Sequence, residues 1–157
     1  MTDDIKKRLD VVLVAGGKYH DIDFARLELL KLLAEDDRIR TRVYEDYSNL
    51  HAISNADFLI TYTCDVRPTL EQQKVLRDFV ANGKRWLALH GTNSILQFLS
   101  DGRVDCPRVA PIFMETLGSQ FLSHPPIEPY TVTVADGDHH LVEGVEPFET
   151  NDELYLM

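Results

Sequence analysis

An α/β fold is what this sequence predicts: a doubly wound, mainly parallel sheet with helices on both faces. Three observations carry the prediction. Short apolar runs alternate with segments of helical spacing, and right-handed crossovers between parallel strands place the helices on both faces of a sheet. Three of the runs end abruptly in polar residues: Lys18, Tyr19 and His20 after VLVAGG, Cys64 and Asp65 after FLITYT, and His90 after WLAL. In open parallel sheets, ligands bind in the crevice at such strand ends. Finally, the alternation breaks down after residue 100. Five of the seven prolines fall between 107 and 129, which predicts an irregular, proline-rich lid over the crevice.

In chain order, DVVLVAGG (10–17) reads as a strand, and its two glycines offer backbone freedom and let a ligand approach the main chain. Phe24, Leu27, Leu30 and Ala34 follow at helical steps, with Asp21 or Asp23 as cap. RTRVY (40–44) is a second strand, EDYSNLHAISNA a polar connection and ADFLITYT (56–63) a third strand. After Pro68, Thr69 and Gln72 have capping-box spacing; Leu70, Leu76, Phe79 and Val80 form a helical stripe, and Gly83 is placed to end it. Trp86 to Leu89 is four apolar residues long and reads as a central strand buried on both faces. SILQFLS has the spacing of a short helix capped by Asn93 or Ser94. PIFMETLG is a short helix stopped by Gly118, YTVTVAD alternates as a half-buried strand, DGDHH is a turn, and DELYLM is strand-like again. This topology gathers His20, Cys64 and His90 at one edge of the sheet.

A length of 157 residues, 44% hydrophobic and 27% charged, is that of one ordinary globular domain. The net charge of -10 repels nucleic acid and anionic membranes, so neither is an expected partner. No run reaches the ~18 apolar residues of a membrane span, and MTDDIKKRLD lacks a signal-peptide apolar core, which points to the cytoplasm. Cys64 and Cys106 have no CxxC spacing and read as reduced thiols, Cys64 as a small buried residue rather than a nucleophile. GGKYH lacks the GxGxxG and GxxxxGK[ST] patterns, so nucleotide binding is not expected. Asp57 falls at the start of its strand, away from the crevice, which excludes a response-regulator role. The acidic runs at 35–37 and 45–46 read as solvated surface.

Four phrases in this order, AGGKYHD (15–21), LRDFVANGKRWLALHG (76–91), LGSQFLSHPP (117–126) and VTVADGDHHLVEGVEPFETNDELY (132–155), resemble the ThuA-like (trehalose utilisation) family. The resemblance implies a flavodoxin-like fold close to that of class I glutamine amidotransferases, and a role in catabolism of trehalose or a related disaccharide or keto-sugar. Those amidotransferases carry a nucleophilic cysteine at a strand-to-helix elbow. In LALHGT no Cys or Ser stands there and His90 occupies the neighbourhood, so that chemistry is not expected. Members read His-Pro where this chain has His139-His140. They also continue past the strand in which this chain ends, implying one domain, 1–157, that lacks its C-terminal strands. An open sheet edge of that kind favours homo-oligomers.

The family pattern and the topology together nominate a crevice site for a small carbohydrate. His90 is the candidate acid/base group, with Glu153 as its orienting or second acid/base partner. His20, Asn93, Tyr62, His124 and Tyr155 are candidate substrate contacts; Tyr19 and Tyr155 can stack on a sugar ring. Asn93 serves equally as a helix cap, and Glu153 equally as a solvated strand-end carboxylate. His20, His90 and His124 converging with a carboxylate are also a candidate site for a divalent metal such as zinc, against the simpler reading of hydrogen-bonded histidines shaping a polar pocket. The alternative of a different class is a non-catalytic sugar-binding or regulatory domain on an amidotransferase-like scaffold, motivated by the absent cysteine.

Overall fold

A computed structural model of the chain describes residues 7–157. The chain divides into two compact units, Met1–Phe121 and Leu122–Met157. The first six residues of the polar opening lie outside the described residues.

The first unit is built on a four-stranded sheet of β1 (Leu9–Gly17), β2 (Ile39–Tyr44), β3 (Phe58–Cys64) and β4 (Arg85–Leu89), in the order β2-β1-β3-β4 with every neighbouring pair parallel. Alternating residues of β1 serve two cores. Val12 and Val14 face one with Leu59, Ile53, Leu76, Phe79 and Phe113, while Val11, Leu13 and Ala15 face another with Ile60 and Leu33. The expected doubly wound parallel α/β architecture is therefore present. A strand pair buried on both faces needs mostly apolar side chains, which VVLVA and FLI supply, while the buried hydroxyls of Thr61 and Thr63 are paired with Thr92 and Tyr47. Among the described residues no helix is long and apolar enough to cross a membrane.

Short polar side chains satisfy the first amides of the two longer helices. In α1 (Ile22–Leu33) the Asp21 carboxylate accepts from Phe24 N, and in α3 (Leu70–Ala81) Thr69 and Gln72 complete the expected capping box. Gly83 follows α3 at φ +79, one residue beyond its Asn82 cap.

Several expectations are overturned by packing. The apolar stripe of α1 is only partly the one read: Phe24 is 61% and Leu27 52% exposed, whereas Leu30 meets the sheet as expected, together with Ile22, Leu29 and Leu33. The polar connection contains a helix, α2 (Leu50–Asn55), capped by Asn49, with Ile53 in the core and Tyr47 buried just before it. β4 is an edge strand, not a central one, and Leu87 is 51% exposed. Hydropathy registers four apolar residues in a row but cannot count the neighbours on each side. The expected helix over SILQFLS does not form. A 3-10 turn, His90–Asn93, leads to buried Ile95, and Gln97–Phe98 (β5) pairs antiparallel with Val104–Asp105 (β6). Leu96 N is taken by the Asp65 carboxylate, so the chain is held extended where the sequence favours a helix.

The proline-rich segment is partly core rather than lid. α4 (Pro111–Leu117), stopped by left-handed Gly118 as expected, buries Phe113 completely against α3, where Gln73 accepts from Phe113 N. The second unit is a hairpin of β7 (Glu128–Val132) and β8 (Phe148–Asp152), closed by Leu122 N to Leu156 O and Leu156 N to Ser123 O. At the doubled histidine, His139 Nδ1 accepts from Leu141 N and caps a short 3-10 turn, which gives that residue a structural role.

Candidate active site

The site grows from three adjacent strand ends. Tyr19 after β1 (φ +70), Asp65 after β3 (φ +57) and His90 after β4 (φ +47) are the non-glycine residues with left-handed backbone among those described. Such conformations cost of order 1 kcal/mol or more each and concentrate at functional sites. Their shared location picks out this edge of the first unit.

The glycines explain how the edge is assembled. A side chain on Gly16 would stand 2.0 Å from Glu45 O, and one on Gly17, at φ +109, would stand 1.9 Å from Cys64 O. The backbone that approaches them is therefore the protein's own, at the ends of β2 and β3. Lys18 N then donates to Cys64 O, which turns the following loop across β3.

That loop delivers His20 to His90. Their Nε2 atoms lie 3.1 Å apart and the rings meet edge to face with centroids at 4.2 Å. A contact of this kind needs a proton on one nitrogen and a lone pair on the other. Tyr62, on β3, stacks on His90 at 5.4 Å and 13°. His20, Tyr62 and His90 thus meet within one unit. Cys64 is buried (3% exposed) and touches the position of Gly91, as a small packing residue would. Asn93 does not cap a helix: it is 8% exposed and its Nδ2 donates to Ser119 Oγ.

Sequence reasoning missed two features of the same rim. Lys18 Nζ donates to Asp65 Oδ2 at 2.9 Å, and that bond together with the carboxylate charge raises the lysine pKa, keeping it cationic. Tyr19 packs its ring on Phe98 at 5.6 Å, both more than half exposed. Phe98 looked like part of a helix stripe; only the β5–β6 pairing brings it to Tyr19.

The remaining candidates gather in the second unit. His124 Nε2 lies 3.6 Å from Glu153 Oε1, and its ring stacks near Tyr155 at 6.3 Å. The nominated metal set thus draws His20 and His90 from one unit and His124 from the other. Among the described residues no group of three or more His, Cys, Asp or Glu side chains is arranged to hold a metal ion. Asp57 accepts from Asp10 N, a bond that lowers its pKa, with Lys7 adding to the effect.

A family model described as ThuA, trehalose utilisation, matches residues 10–157. The crystal structure of a ThuA-like protein from Bacteroides uniformis ATCC 8492 is similar to this chain with a TM-score of 0.73 at 17% identity, over 95% of this chain and 61% of that one. The chain thus spans less than two thirds of the length of that relative. No curated protein matches it.

Proposed function

The chain belongs to the ThuA family of trehalose utilisation, and we propose that it acts in sugar catabolism by binding a disaccharide or keto-sugar at the carboxyl edge of β1, β3 and β4. There the His20–His90 pair moves a proton. The observation that carries this reading is His90 itself, held in a left-handed conformation with its Nε2 3.1 Å from that of His20. Imidazole titrates near neutral pH, so a positioned ring can both take and return a proton. In this mechanism a sugar hydroxyl donates to one ring nitrogen while the second ring fixes the tautomer of the first. Lys18, kept cationic by Asp65, supplies positive charge on the same rim for an oxygen that gains negative charge. The exposed Tyr19–Phe98 pair offers the apolar face that a pyranose ring stacks on.

In the second unit, His124, Glu153 and Tyr155 form an imidazole–carboxylate group that is the other candidate for acid–base work. A comparison of variants separates the two. Incubated with trehalose or its keto derivative, His90→Ala should lose about 10²- to 10⁴-fold in kcat/KM while remaining folded. A larger loss in Glu153→Gln than in His90→Ala would move the chemistry to the second unit. Binding of sugar without any product over long incubation would assign the chain to the non-catalytic reading that the missing elbow cysteine motivates.

A further inference from the structure

Beside the imidazole pair lies an open cavity of about 350 Å³, bounded by Gly16 at the end of β1, His20, Asp23 and Arg26 of α1, and Glu45 after β2. Its size falls in the range of small-molecule sites, roughly 300–1,000 Å³. We propose that this cavity is the subsite for the second, non-reacting ring of a disaccharide, with Asp23, Arg26 and Glu45 binding its hydroxyls; this rests on the reading that His20 and His90 act on the first ring.

Three observations lead there. His20 belongs both to the cavity wall and to the His20–His90 contact, so a ligand held at the imidazoles extends directly into the cavity. Arg26 is fixed before any ligand arrives: Nη1 donates to Asp23 at 2.8 Å, Nη2 donates to Ala15 O at 2.8 Å, and Glu45 Oε1 stands 3.8 Å away. A guanidinium already oriented loses little rotamer entropy on binding. The charge balance then selects the ligand class. Asp21, Asp23 and Glu45 outnumber the single guanidinium in the lining, which opposes a phosphate or carboxylate even at the N-terminus of α1. Neutral hydroxyls suit both kinds of group, because a hydroxyl donates to a carboxylate and accepts from a guanidinium.

Calorimetry on the full chain with trehalose, glucose and glucose 6-phosphate tests the proposal. Trehalose is expected to bind at least 10-fold tighter than glucose, about 1.4 kcal/mol, and glucose 6-phosphate no tighter than glucose. Glu45→Ala and Asp23→Ala, both at exposed positions, should bring the trehalose-to-glucose affinity ratio close to one without lowering the melting temperature. Equal affinity for trehalose and glucose in the wild type, a ratio unchanged in both variants, or tightest binding by the phosphate ester would each overturn it. His90→Ala separates this inference from the catalytic one. It should stop turnover and leave the affinity ratio intact; turnover that survives in His90→Ala removes the catalytic reading alone, provided the ratio still depends on Glu45.

Discussion

His90 is costly where it stands. A non-glycine residue at φ +47 gives up of order 1 kcal/mol, which the surrounding contacts with His20 and Tyr62 must offset. Glycine adopts that conformation without strain, although it also loses more freedom on folding. His90→Gly is therefore expected to unfold in urea within about 1 kcal/mol of the wild type, on either side, while losing as much activity as His90→Ala. A destabilisation of several kcal/mol would make the imidazole a structural element instead. The position of His90 was legible in WLALHG, because apolar residues ended where polar ones began. Its left-handed backbone was not, since a φ value depends on what the chain does next, and residues 94–98 were read as a helix.

Among elements, the helices show which signals are local. The capping box of α3 was legible because both its partners lie within three residues of each other, whereas the facing side of α1 depends on strands before and after it, with Phe58 and Ile60 of β3 lying beyond even β2. α2 went unread although Asn49 caps it, since six residues give too short an apolar pattern. Two substitutions weigh caps against cores. Asn49→Ala should cost about 1 kcal/mol in urea unfolding, through the amide of Ala52 that it leaves unpaired. Phe113→Ala should cost about 3–5 kcal/mol, because Phe113 is fully buried between Tyr47, Trp86 and α3 and its removal leaves a cavity. A small effect of Phe113→Ala would return α4 to the role of a lid.

For the whole molecule, acid stability follows from the carboxylate that joins the starts of β1 and β3. Asp57 accepts from Asp10 N while Asp57 N donates to Asp10 O, so a lowered pKa on this side chain is also a statement about folding. A depressed folded-state pKa contributes stability that is complete above the unfolded value, near 4, and is lost as pH falls through the folded value. Asp57→Asn should thus be less stable than wild type at pH 7, and the gap should close as the pH falls below about 4, as read from denaturant midpoints. A gap that stays constant down to pH 2 would mean that packing, not charge, accounts for it.

What the amino-acid order determined unaided is whatever rests on near neighbours: the alternation of strands and helices, the cap at Thr69, the choice of Asp21 or Asp23 for the first helix, the stop at Gly118 and the phrases shared with the ThuA family. Tertiary structure alone decided that β4 lies at the edge, that Phe113 is core, that Phe98 meets Tyr19 and Lys18 meets Asp65, and that the nominated residues fall into two groups. Each of those depends on segments far apart in the chain, and burial and charge are properties of the surroundings that a residue acquires only when those segments pack.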